Sequence, residues 1–149
     1  MAKLAFQITI NAPVDRVAAF FVPQRMVYWY GPEVKAKLEV QGGASDFALG
    51  QIVRISGRIG GSKVELTAVI SAFEPRRLLE WRFHDAYGIR GMQRWELAAE
   101  AEVTRLTMRD EYKPVGRLER LFDSLFTRHA VARRDREWLA KLKKLAERS

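Results

Sequence analysis

Apolar and polar residues alternate from the start of the chain. Leu4, Phe6, Ile8 and Ile10 interleave with Ala5, Gln7 and Thr9, the period-two pattern of a strand with one buried face. Asn11-Ala12-Pro13 ends it, and Asn11 is placed to cap a helix running from Val14 to Phe21. Pro23 closes that helix or opens a second, Gln24 to Tyr30, which Gly31-Pro32 terminates. Alternation then returns six times: Val34–Gln41, Gln51–Arg58, Lys63–Phe73, Leu78–His84, Ile89–Ala99 and Val103–Tyr112. Turn formers separate most of these runs, among them Gly42-Gly43, Gly60-Gly61, Glu74-Pro75-Arg76 and Asp85-Ala86-Tyr87-Gly88. The Ala98–Glu102 turn has no glycine, which leaves the adjoining strand ends open.

After Lys113-Pro114 the period lengthens. Leu118, Leu121, Phe122, Leu125, Phe126, Ala132, Leu139 and Leu142 recur at helical spacing from Val115 to Ser149, most of them on one broad face at about 100° per residue. His129 and Arg136 fall within the arc of Leu118, Leu121 and Leu125. Such residues on an apolar face require polar partners or a wet cavity. Thr127 is placed to cap a second segment, which would bend the helix between Phe126 and His129. The order is one strand, two short helices, six strands and a long helix. It predicts a single α+β domain over residues 1–149, its antiparallel sheet curled around the terminal helix with a space between them.

That pattern resembles the helix-grip fold of the START and Bet v 1-like (SRPBCC) superfamily, in particular its polyketide cyclase/dehydrase-type proteins. The likeness rests on Ile10-Asn11-Ala12-Pro13-Val14-Asp15-Arg16-Val17, Tyr28-Trp29-Tyr30, Leu49-Gly50-Gln51, Phe73-Glu74-Pro75-Arg76-Arg77-Leu78 and the final amphipathic helix. These are turns and packing positions, so they specify fold and leave the reaction open. The resemblance implies a curved seven-stranded antiparallel sheet around the C-terminal helix, two short helices after the first strand, and a hydrophobic ligand held between sheet and helix. Members include cyclases, lipid carriers, hormone receptors, co-chaperones and quinone-binding proteins.

Composition narrows this picture. The 149 residues are 48% hydrophobic and 30% charged, ordinary for one globular domain. No uncharged run approaches the roughly 20 apolar residues of a membrane span, and Met1-Ala2-Lys3 leads directly into the first strand. Together with the lack of cysteine, this makes the cytoplasm the default location. The net charge is +8, and Lys113–Ser149, with 11 basic against 5 acidic residues, supplies +6 of it. Basic charge of this kind suits nucleic acid or an anionic membrane. Here Arg133, Arg134, Lys141, Lys143 and Lys144 interleave with Asp135, Glu137 and Glu147, so a solvated outer face is expected instead, without nucleic acid and with weak support for membrane contact.

Two histidines far apart and no cysteine leave no metal-ligand set. The glycines near Gly57–Gly61 and Gly88–Gly91 open no helix, so they form no phosphate loop; no cofactor is expected. Strand parity is more informative. It places Gln93 beside Trp95 in the sixth strand, and Met108, Asp110 and Tyr112 inside in the seventh. A buried Asp110 needs a partner, and His129 or Arg136 on the covering helix are the expected ones. Trp81, Phe83, Trp95 and Met108 add apolar surface, as lining or as plain core. One of Tyr28, Trp29 and Tyr30 must face outward or gate a cavity mouth, since consecutive helical residues cannot all point inward. The candidate ligand-binding set is therefore Tyr28, Trp81, Phe83, Gln93, Trp95, Met108, Asp110, Tyr112, Leu125 and His129.

Three functions follow from this reading. The first is a binding module for a small hydrophobic molecule of lipid, polyketide or aromatic type. The second is a polyketide cyclase or dehydratase-like enzyme, with Asp110, His129, Arg136 and Tyr112 as acid–base candidates. The third is a membrane- or protein-interaction module using the basic C-terminal helix. A homodimer through a sheet edge or the Tyr28–Tyr30 cluster is also open.

Overall fold

The computed structural model describes residues 2–59, 61–85, 89–113 and 128–148 of the chain. Strand β1 (Ala2–Ile10) leads into two short helices, α1 (Val14–Ala18) and α2 (Pro23–Met26), and a 3₁₀ turn at Pro32–Val34. Six strands follow: β2 (Lys37–Val40), β3 (Ile52–Ile59), β4 (Ser62–Glu74), β5 (Leu78–Asp85), β6 (Arg90–Glu100) and β7 (Val103–Lys113). Helix α3 (Arg128–Arg148) comes last. All seven strands form one antiparallel sheet in the order β1-β7-β6-β5-β4-β3-β2. The two short helices carry the chain from the β1 edge to β2 at the far edge, and α3 packs on β1 and α1. This is the α+β architecture that the alternation predicts, and it matches the helix-grip fold that the resemblance implies.

The helices after β1 are shorter than their apolar runs suggest. The N-cap of α1 is Pro13, in an extended conformation, so Asn11 does not cap it. Helix α2 ends at Met26, well before Tyr30. The 3₁₀ turn at Pro32–Val34 is flanked by Gly31 (φ 70) and Lys35 (φ 53), both left-handed. Those two residues reverse the chain and delay β2 to Lys37, so Val34 belongs to the turn. The β6–β7 hairpin is closed by Ala101-Glu102, with Ala101 at φ 57 where a glycine is usual. The predicted helix before Arg128, the Thr127 cap and the turn residues 86–88 lie outside the described residues.

Register places like with like across the concave face. Leu79, Trp95, Met108 and Phe6 stand in one cross-strand row, and Trp81, Gln93, Asp110 and Leu4 in the next. A register irregularity between Ile70 and Ala72 interrupts the β4–β5 ladder. The edge strand β1 is blunted by α3. Lys143 Nζ donates to the Thr9 carbonyl at 2.7 Å and Arg128 Nη2 to the Lys3 carbonyl at 3.4 Å. Carbonyls occupied this way are not offered to another chain's strand.

Gly91 marks the tightest point of the sheet. A Cβ built there would stand 2.4 Å from the Glu111 carbonyl oxygen and 2.4 Å from Phe83 Cζ. The backbone oxygen cannot retreat without breaking the β6–β7 ladder. Gly91→Ala is therefore expected to lower stability by about 1–3 kcal/mol, as overpacking does, which urea unfolding monitored by circular dichroism would measure.

Candidate functional site

The concave face is filled at its centre by aromatic rings. Trp29, Trp81 and Trp95 are fully buried, and Tyr30 nearly so. Trp81 and Trp95 meet edge to face with centroids 5.1 Å apart, and Tyr30 meets both at 5.4 and 5.9 Å. Each such pair adds about 0.5–1.5 kcal/mol beyond the area it buries. The rings form a partition across the interior. On one side lies a cavity of about 480 Å³, whose lining includes Tyr30, Val34, Ile55, Leu66, Phe83 and Trp138. On the other a cleft of about 520 Å³, lined by Phe47, Phe73, Leu79 and Trp95, runs beside α1 and the β4–β5 turn.

A polar network closes the floor of the cavity. Gln93 Oε1 accepts the Tyr30 hydroxyl at 2.7 Å and the Trp81 indole N–H at 2.9 Å. Gln93 Nε2 donates to Asp110 Oδ2 at the long distance of 3.5 Å. Arg134, from α3, donates through Nη2 to the same Asp110 oxygen at 3.2 Å and to Asp135 Oδ1 at 3.2 Å. Its guanidinium stands 4.4 Å over the Trp138 ring, which in turn lies 4.4 Å from Tyr30. The Trp138 indole N–H is shared between both carboxylate oxygens of Glu33 at 3.0 Å each. Three distant segments, the 3₁₀ turn, β6–β7 and α3, thus meet through side-chain hydrogen bonds.

Two buried carboxyls share one guanidinium, so the cluster holds a proton. Asp135 is pushed up to about 9, by burial first and then by the hydrogen bond to Asp110 and its charge, against the pull of Arg134. As an anion Asp135 would leave Oδ2 buried and without a donor. Protonated, that carboxyl donates to Asp110. Burial works against the charge on Arg134, but the carboxylates outweigh it and raise its pKa. Burial also pushes the Tyr30 phenol up, keeping it a donor.

The candidates from the sequence divide into three groups. Phe83, Gln93, Asp110 and Tyr112 line the cavity. Trp81, Trp95 and Met108 are fully buried core and do not border it. Tyr28, His129 and Arg136 are not among the lining residues of the cavity. Tyr28 is 55% exposed and Tyr30 takes the place expected of it. His129 is exposed, and Arg136 stacks over Phe6 of β1 at 5.2 Å. Leu125 lies outside the described residues. The pairing of Asp110 with His129 or Arg136 is corrected to Arg134, and the reason is helical phase. The buried face of α3 is Asp135, Trp138, Leu139, Leu142 and Ala146. At about 100° per residue this puts Arg136 and His129 on the β1 flank and Arg134 on the opposite one, over the cavity. Among the described residues, no group of three or more acids and histidines is placed to hold a metal, and no helix is long and apolar enough to cross a membrane.

Comparison with known proteins agrees with the fold. The profile of the family described as polyketide cyclase / dehydrase and lipid transport matches residues 1–147. The chain belongs to that family, within the SRPBCC superfamily. A search of curated proteins finds no match. Among solved structures, Ara h 8.0201 superposes with a TM-score of 0.74 at 11% identity, covering 99% of each chain. The aromatase/cyclase ZhuI from Streptomyces sp. R1128 gives 0.68 at 17% identity, covering 99% of this chain and 94% of that one. DynU16, a protein of the dynemicin biosynthetic locus, gives 0.70 at 20% identity over 97% of this chain, which spans about half of its length (47%). At these identities the likeness establishes the fold.

The proton on Asp135 has a consequence for stability. The unfolded carboxyl loses its proton near its ordinary 3.8, whereas the folded one keeps it to about 9. Between those values the folded state binds more protons, so stability falls as pH rises. Thermal melts from about pH 5 to about pH 8 are expected to show a declining Tm, as the unfolding free energy falls by at most about 1.4 kcal/mol per pH unit. Asp135→Asn, which keeps the donor and cannot ionise, should flatten that decline.

Proposed function

We propose that the protein binds a small apolar molecule in the cavity between the sheet and α3. The observation that carries this reading is the cavity itself, about 480 Å³ with aromatic and aliphatic walls and one polar end. That volume lies within the range of small-molecule sites. Tyr30, Phe83 and Trp138 offer ring surfaces, while Gln93, Asp110 and Arg134 form the polar end. Membership of a family described by cyclase, dehydrase and lipid-transport functions supports a hydrophobic guest.

A second reading, acid–base catalysis on a polyketide or aromatic substrate, is favoured by one feature. Asp110 borders the cavity and stands beside the proton held by Asp135. In this reading Asp110 is the group that meets the substrate and Tyr112 is a neighbouring hydroxyl. Arg134 takes the place given to Arg136, because it holds Asp110, while His129 has no part. The same ZhuI fold carrying an aromatase/cyclase name is consistent with it. Both readings place the guest in the same cavity and differ in whether it reacts there.

Titration with the neutral fluorophore N-phenyl-1-naphthylamine tests the shared claim. Enhanced emission that saturates is expected with the native protein. Leu66→Trp, which fills the cavity from β4, should weaken binding about tenfold or more while Tm changes by only a few degrees. Unaltered affinity in that variant would place the fluorophore elsewhere and defeat the proposal.

A further inference from the structure

The ionisable groups around the cavity are unevenly signed, and one of them is unmatched. Glu33, Glu65, Asp110 and Arg134 border the space. Glu65 pairs with Arg54 at 3.1 Å. The charge of Arg134 is matched by Asp110 at 3.2 Å, and the same nitrogen also donates to the protonated Asp135 at 3.2 Å. Glu33 has no ion-pair partner among the described residues. Its carboxylate receives the neutral Trp138 N–H on both oxygens, at 3.0 Å each.

This carboxylate is also held in place. It sits in the 3₁₀ turn between two left-handed residues, Gly31 and Lys35. A Cβ on Gly31 would stand 2.6 Å from that of Ala36, so the turn has little room to shift. Trp138 is itself fixed between Tyr30 and the Arg134 guanidinium. An oriented anion at the rim of an apolar, ring-lined space acts differently on guests of different charge. A guest carboxylate would meet Glu33 and Asp110, with the one guanidinium already engaged. A guest ammonium would meet the unmatched charge of Glu33.

Resting on the reading of this cavity as a ligand site, we infer that Glu33 is its charge-selecting residue. The preferred guest is an apolar, ring-bearing molecule whose polar end is a protonated amine, and the same body ending in a carboxylate is rejected. Glu33 acts on recognition alone, and nothing in this inference requires the guest to react.

Displacement of N-phenyl-1-naphthylamine by naphthylmethylamine, naphthylmethanol and naphthylacetate, near neutral pH, tests this. For the native protein the amine is expected to bind about three- to tenfold tighter than the alcohol, and the carboxylate weakest, the scale of a partly exposed ion pair. High salt should shrink the spread. Glu33→Gln keeps an oxygen for the Trp138 N–H; it should bring the amine to the level of the alcohol and leave the alcohol within about twofold. A carboxylate that competes as well as the amine, or an amine preference that survives in Glu33→Gln, overturns the inference and leaves the cavity as a ligand site. If the fluorophore itself does not bind the native protein, the ligand reading falls and this inference with it.

Discussion

A carboxylate cannot be buried alone, and Asp110, on the inner face of β7, is 1% exposed. Arg134 answers that requirement from α3, at 3.2 Å, and most of the site follows from the pairing. It fixes the rotation of α3 about its axis, which sets Trp138 against Tyr30 and within reach of Glu33. It also brings in Asp135, whose proton keeps two carboxyls and one guanidinium near electrical balance. Replacing the cluster by apolar residues of similar volume need not weaken a fold, while removing one member costs about 3–5 kcal/mol. Its role is therefore more in specifying how the helix sits than in net stabilisation.

The second constraint is the aromatic partition. In a sheet curled around a helix, the interior can be left open or filled. Here Trp29, Trp81 and Trp95 fill its centre, and Gln93 ties the partition to the charged cluster by accepting from both Tyr30 and Trp81. The cavity and the opposite cleft are consequently separate spaces with different chemistry. One ends in a charged network. The other is bordered by Phe47 and Phe73 and rimmed by the ion pairs Arg76–Asp15 and Arg77–Glu74.

The sheet was legible because strand period is simple. Alternation alone places Gln93, Asp110 and Tyr112 inside, and all three prove buried. The helix face was harder to read. Hydrophobic periodicity treats Asp135 as an outward residue, yet it is fully buried and central to the packed face of α3. Carrying the phase over from Leu118, Leu121 and Leu125 pointed to His129 and Arg136 instead. Tyr28, Trp29 and Tyr30 present a similar case: helical spacing says that one of the three faces out, and only the structure shows that it is Tyr28. Glu33 gave no signal at all, because a charged residue after Gly-Pro reads as an ordinary turn. Its significance comes from Trp138, 105 residues away along the chain.

The central claim is that the guest occupies the α3 side of the partition. Chemical-shift mapping with a neutral naphthalene probe on the ¹⁵N-labelled protein tests it directly. The account predicts that the Trp138 indole resonance and the backbone amides of Tyr30, Gly57 and Val131 move together on titration. Shifts confined to Phe47, Phe73 and Leu79, around the opposite cleft, or no saturable shifts at all, would contradict it.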